Sequence, residues 1–192
     1  EKAAIFTLKD GTDQGVRFRD LNNDGQCELI VSNPTQQAVY AWSQTDSCWQ
    51  KLPWSLPNAA TIVDAQGRDA GLRFADINED GFADALFSNE SRYSLDLFAS
   101  LDKGWKNVFQ KQRQDGDDMP AISRNGTNNG AWFHSRHLWV QNENTDKLKH
   151  LVAGKSFDEL LAAKGPQPKS PAAALKTIQV KPGFHVELVA AE

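Results

Sequence analysis

An eleven-residue pattern occurs twice in this chain. Gly15-Val16-Arg17-Phe18-Arg19-Asp20-Leu21-Asn22-Asn23-Asp24-Gly25 returns 56 residues later as Gly71-Leu72-Arg73-Phe74-Ala75-Asp76-Ile77-Asn78-Glu79-Asp80-Gly81. The match continues without a gap, Glu28-Leu29-Ile30-Val31-Ser32-Asn33 answering Asp84-Ala85-Leu86-Phe87-Ser88-Asn89. A third copy, Gly130-Ala131-Trp132-Phe133-His134-Ser135, runs directly into Arg136-His137-Leu138-Trp139-Val140-Gln141-Asn142, its acidic loop cut out. Repetition at this spacing means stacked supersecondary units, each burying its faces on its neighbours.

Within each unit Val16 and Phe18, or Leu72 and Phe74, alternate with polar neighbours, the period of a strand. The apolar runs after the acidic loops are too short for helices and suit strands buried on both faces. Ala38-Val39-Tyr40-Ala41-Trp42 then matches Tyr93-Ser94-Leu95-Asp96-Leu97-Phe98, and Trp49-Gln50-Lys51-Leu52 matches Trp105-Lys106-Asn107-Val108-Phe109. Four short strands per unit predict an all-β chain of four-stranded antiparallel blades, a partial β-propeller. Closed rings have about 4 to 8 blades, so further blades are expected upstream. The opening residues 4–8 read as the outer strand of the blade before. Tryptophans 42, 49, 54, 105, 132 and 139 mostly recur at equivalent positions and are expected between blades. Blades are placed near 14–56, 70–110 and 129–154, within a repeat region of residues 1–154.

In each acidic loop oxygen side chains fall at positions 1, 3, 5 and 9 and glycine at position 6. The candidate ligands are Asp20, Asn22, Asp24 and Glu28 in the first, and Asp76, Asn78, Asp80 and Asp84 in the second. The main-chain carbonyls of Gln26 and Phe82 would complete each shell. A hard cation such as Ca2+ takes about six to eight oxygens, and alternate side chains around a glycine bend can wrap one. Three carboxylates in one tight loop repel each other without it. Two Ca2+ sites are therefore expected, with a structural role. Position 12 is Val31 or Phe87, where an EF-hand needs a bidentate Glu, so that motif fails. The soft ligand Cys27 becomes Ala83 in the second loop, which argues against zinc. Ordinary acidic turns of the same composition are the competing reading.

A phenylalanine-containing strand leading into D-x-[DN]-x-D-G-x-x-[DE] resembles the FG-GAP/VCBS repeat family, over roughly residues 1–142. The resemblance implies calcium-binding, non-catalytic propeller blades in bacterial extracellular, periplasmic or cell-surface proteins, often in adhesion or carbohydrate contact. It carries the ligand roles onto the positions named above and none onto the third repeat.

Asn125, Asn128, Asn129, Trp132, His134 and Arg136 combine amides, an aromatic face and a guanidinium, which suits a small carbohydrate site. Turn chemistry and core packing are the alternative. His134 and His137 are three apart, on opposite faces of a strand unless a turn intervenes. Asp115-Gly116-Asp117-Asp118 lacks the alternating plan and reads as a solvated turn. Asn125-Gly126-Thr127 fits a glycosylation sequon, expected empty in a prokaryotic exported protein.

After the third repeat Ser156-Phe157-Asp158-Glu159 is a capping box ahead of Leu160-Leu161, predicting a short helix within 155–163. Residues 164–173 hold three prolines and read as a linker. The tail 174–192 resembles the opening of the PVC-type haem-binding, membrane-bound dehydrogenase-like domain. That resemblance implies a downstream oxidoreductase-like propeller, often with c-type haem, as the partner of this module. A net charge of -4 gives no reason to expect nucleic acid, and no apolar run is long enough for membrane insertion. The single methionine is Met119 and the chain opens Glu1-Lys2-Ala3, so the natural start is expected to lie upstream or to have been removed. Cys27 and Cys48 allow one bridge and no C-x-x-C chemistry. No acid–base pair or triad stands out, so the chain is expected to be non-catalytic. Its role is accessory to a dehydrogenase-like protein or, alternatively, that of a free-standing adhesion or carbohydrate-binding propeller.

Overall fold

A computed structural model describes residues 4–162; the linker at 164–173 and the dehydrogenase-like tail at 174–192 lie outside the described residues. The chain begins with a small hairpin, β1 (Leu8–Lys9) and β2 (Thr12–Asp13). The first unit follows as β3 (Val16–Arg19), β4 (Glu28–Ser32), β5 (Gln37–Ser43) and β6 (Cys48–Lys51). The second is β7 (Leu72–Ala75), β8 (Asp84–Ser88), β9 (Arg92–Ser100) and β10 (Gly104–Gln112). A hairpin of β11 (Ser123–Arg124) and β12 (Thr127–Asn128) precedes the third unit, β13 (Ala131–His134), β14 (His137–Val140) and β15 (Ala153–Ser156). The last described element is α1 (Phe157–Ala162).

Each unit is an antiparallel meander, with sheet orders β3-β4-β5-β6, β7-β8-β9-β10 and β13-β14-β15. The fold is mostly β, and the four-strand expectation holds in the first two units. Among the described residues the third has three strands. Its first two are joined by Ser135-Arg136, both at positive φ (47° and 59°), the tight two-residue turn that replaces the acidic loop. A further correction concerns the opening: residues 4–7 belong to no strand, and Leu8–Lys9 fold back on β2 through Asp10 and Gly11 at positive φ (51° and 77°).

The sheets stack face to face. Leu21, Ile30 and Val39 of the first unit meet Leu72, Ala85, Phe87 and Phe98 of the second, with Leu56 and Ala60 of the connecting segment between them. The other face of the second sheet, with Leu86, Tyr93, Leu95 and Phe109, packs on Leu138, Phe157 and Leu160. Burial on two faces explains why every residue of β4 and β8 is buried. Only part of the tryptophan expectation survives: Trp54 and Trp105 pack at the first junction, whereas Trp42, Trp49 and Trp132 are exposed. Cys27 and Cys48 are free, exposed thiols. Helix α1 starts from the capping box, Ser156 Oγ accepting the Glu159 N–H (3.2 Å) while the Glu159 carboxylate accepts the Ser156 N–H (2.7 Å).

One latch recurs in all three units and fixes where the loops emerge. Asn33, Asn89 and Asn142 follow the second strand of their units and donate from Nδ2 to Gln14 O, Ala70 O and Asn129 O (2.8, 3.3 and 3.0 Å). Their Oδ1 atoms accept the N–H two residues on, from Thr35, Ser91 and Asn144. The next residue after each accepting carbonyl is a glycine at positive φ, and a Cβ on Gly130 would lie 1.9 Å from Gln141 O. The third repeat thus keeps this latch although it has neither the acidic loop nor, among the described residues, a fourth strand.

Candidate metal centre

The two acidic loops share one framework of hydrogen bonds. Position 1 accepts the N–H groups of positions 5 and 6: Asp20 from Asp24 and Gly25 (3.1 and 2.8 Å), Asp76 from Asp80 and Gly81 (3.0 and 2.9 Å). The amide at position 3 donates to the carboxylate at position 5, Asn22 to Asp24 at 2.9 Å and Asn78 to Asp80 at 2.8 Å. That carboxylate accepts the N–H of position 7, from Gln26 (2.8 Å) or Phe82 (3.0 Å). Asn23 and Glu79 at position 4 take positive φ (58° and 59°), as do Gly25 and Gly81 (86° and 89°), so the chain turns twice within six residues.

Both loops are anchored in the core. The position 2 side chains, Leu21 and Ile77, are 0% exposed, and their N–H groups donate to the position 9 carboxylates, Glu28 at 2.9 Å and Asp84 at 2.8 Å. Glu28 and Asp84 are themselves buried. Asp84 also accepts the Phe98 N–H at 2.9 Å. Burial nonetheless raises its carboxyl to about 6, with the Asp80 charge pushing the same way against the three N–H bonds. Glu28 is raised for the same first reason, with Asp24 and Asp20 adding to it. Both loops hold buried carboxyls beside like charges, an arrangement that a cation offsets.

The donor set fits a hard cation. A carboxylate offers about four lone-pair directions, so the N–H bonds do not exhaust Asp20 or Asp76. Asn22 Oδ1 is buried without a hydrogen-bond partner, an oxygen that a cation would satisfy. Its equivalent, Asn78 Oδ1, accepts only a 3.3 Å bond from Asp80 N. Among the described residues no three His, Cys, Asp or Glu side chains converge closely enough to hold a metal by themselves. Amide and main-chain oxygens are therefore needed to complete a shell.

The loops lie on one edge of the stack. Ala83 N donates to Leu21 O at 2.9 Å, linking loop to loop, and Trp105 Nε1 donates to Ala83 O at 3.0 Å. At the next place along this edge Arg136, in the turn that replaces the third loop, reaches Glu79 (2.5 Å) and Asp158 (3.0 Å).

The six residues read as a carbohydrate site do not form one surface. Asn125, Asn128 and Asn129 line an open cleft of about 540 Å³ together with Asn142 and Asn144. Asn128 and Asn129 are already committed, to Ala131 N and to Ala121 O. Arg136 points to the acidic loop. Trp132 and His134 lie on the open face of the third sheet, paired in register with Trp139 and His137. For the two histidines the intervening turn is the case that applies: it places them opposite each other on one face, with His137 stacked on Trp139 at 4.7 Å and 11°.

A second repeated element went unread in the sequence. Asp13 accepts Gly15 N (2.8 Å) and pairs with Arg17 (2.6 Å), just as Asp69 accepts Gly71 N (2.9 Å) and pairs with Arg73 (2.5 Å). The spacing D-x-G-x-R at the same 56-residue offset was the signal. With Arg19 these pairs line a cleft of about 450 Å³ between the first strands of the two units.

The family model for the FG-GAP-like repeat matches residues 20–87, from the first residue of loop one to the strand after loop two. The match does not reach the tail, so the dehydrogenase-like resemblance has no support from it. No curated protein and no solved structure matches the chain.

Proposed function

We propose that this chain is a non-catalytic, calcium-stapled propeller module of an exported or surface protein, working with further blades and a following domain of its parent. The observation that carries the reading is the duplication, on one shared hydrogen-bond framework, of a nine-residue oxygen-rich loop whose ninth-position carboxylate is buried. Asp20, Asn22, Asp24 and Glu28 would hold one Ca2+ with the Gln26 carbonyl, and Asp76, Asn78, Asp80 and Asp84 a second with that of Phe82. The ion neutralises carboxylates gathered where the loop leaves the core, and so fixes the turn between the first two strands. FG-GAP repeats are typical of extracellular or surface proteins, and among the described residues no helix is long and apolar enough to cross a membrane. The tail resemblance alone favours a dehydrogenase-like domain as the neighbour.

Terbium luminescence tests the sites. Trp105, bonded to Ala83 O within loop two, is placed to sensitise Tb3+ bound there. Excitation of tryptophan should give terbium emission that Ca2+ displaces and Asp80→Ala abolishes in the second loop. Emission unaffected by Asp24→Ala and Asp80→Ala together would reject both sites. A second reading, a carbohydrate-binding propeller, is favoured by the flat Trp139–His137 stack beside exposed Trp132. It requires polysaccharide retention that Trp132→Ala removes.

A further inference from the structure

The outward face of the first sheet carries Phe18, Trp42 and Trp49, exposed by 52%, 38% and 37%. Trp49 contacts both others, with ring centroids 6.0 Å from Phe18 and 5.5 Å from Trp42. Three exposed rings in contact form an apolar patch of the kind that marks an interaction surface. What it fits can be read from the next unit. Adding the repeat offset of 56 converts the triad into Phe74, Phe98 and Trp105. The pairing is the same, Trp42 opposite Trp49 and Phe98 opposite Trp105, and so is the clustering, with Trp105 at 6.0 Å from Phe74 and 5.2 Å from Phe98.

In the second unit this triad is covered. Trp54, from the segment after the last strand of the first unit, lies edge-on to Trp105 (5.2 Å, 86°) and to Phe98 (6.0 Å, 73°). Its Nε1 donates to Leu101 O in the β9–β10 turn at 2.8 Å. Phe98 is left 2% exposed. Resting on the propeller reading, we propose that the Phe18–Trp42–Trp49 face is the open half of the same joint. Its occupant is a complete four-stranded unit of this repeat, set ahead of the first and delivering an indole from the segment after its outer strand. Where Asp96 receives Asn58 Nδ2 at 2.7 Å, the first unit has Tyr40. The occupant therefore meets a phenol there, and its hold is aromatic. The third unit is not such an occupant, because among the described residues it has no fourth strand and no indole following one.

The test compares one substitution in covered and uncovered settings, in chelator throughout so that cation binding does not enter. In the chain as it stands Trp49→Ala should lower the melting temperature far less than Trp105→Ala. A tandem chain, residues 1–67 joined to residues 12–192, repeats the first unit in phase and covers its inner triad with the Trp54 of the outer copy. In it, Trp49→Ala in the inner copy should match the loss from Trp105→Ala, and in the outer copy should stay small. Trp54→Ala in the outer copy should cancel that difference. Equal effects of Trp49→Ala and Trp105→Ala in the original chain, equal effects in the two tandem copies, or a tandem chain less stable than the original would each overturn the proposal. The calcium reading stands or falls separately, on terbium.

Discussion

Asp96 is 1% exposed, its Oδ1 accepting from Asn58 (2.7 Å) and Asn107 (2.8 Å), while its buried Oδ2 lacks a well-formed hydrogen bond and has the Ser94 hydroxyl beside it. Burial raises the Asp96 carboxyl above its ordinary range. Its contribution to stability is therefore complete below the unfolded value of about 3.9 and is lost as pH rises through the folded value. Asp96→Asn keeps the accepting oxygen and offers an N–H2 toward Ser94. It should be more stable than the parent at pH 7, by about 1 kcal/mol, the two melting curves converging as the pH is brought down to about 4. Asp13 behaves oppositely, because its bond from Arg17 holds the carboxyl below the usual range. That stability is present above about pH 4 and disappears as pH falls through the folded value. With about a third of each side chain in water, Arg17→Met should cost no more than about 1 kcal/mol at neutral pH. In urea titrations the deficit should shrink to nothing in strong acid.

At the scale of the element, the asparagine latch sets how strand two of each unit turns into strand three. Asn89→Ala removes a 3.3 Å bond to Ala70 O and an Oδ1 that accepts from Ser91 and Arg92. The expected cost is about 1–3 kcal/mol in denaturant unfolding. Gly130→Ala puts a Cβ into Gln141 O at a φ of 73°, and should cost about 2 kcal/mol or more and detach the third sheet first by hydrogen exchange. The sequence announced the strands of units one and two because alternation and buried apolar runs repeated in phase. It did not announce β15: Ala153-Gly154-Lys155-Ser156 has no alternation and no β-branched residue. That segment is a strand because it pairs with β14, and its glycine admits the Trp139 ring, which a Cβ would meet at 2.6 Å. The faces of His134 and His137 were equally hidden, since a two-residue turn of Ser and Arg carries no glycine or asparagine to announce positive φ.

Across the whole molecule, stability in a stacked repeat is a sum of unit and junction terms, so each junction is a separate quantity. The first junction combines an aliphatic core with the Trp54 joint, and the second closes on Leu138, Phe157 and Leu160. The candidate ligands were readable from spacing alone, because the loops occur twice in register. Their anchoring was not, since nothing in the composition of Leu21 or Ile77 tells that the N–H of each meets a carboxylate seven residues on. The most direct measurement is a pair of thermal melts of the full chain, in excess Ca2+ and in chelator, repeated with the Asp24→Ala, Asp80→Ala double variant. Binding to the native state alone stabilises by about 2.7 kcal/mol at a hundredfold excess over Kd. The wild-type melting temperature should rise clearly with Ca2+ and that of the double variant should not. A folded wild-type chain whose melting temperature is the same in Ca2+ and chelator would contradict the calcium-stapled module and leave the two loops as hydrogen-bonded turns.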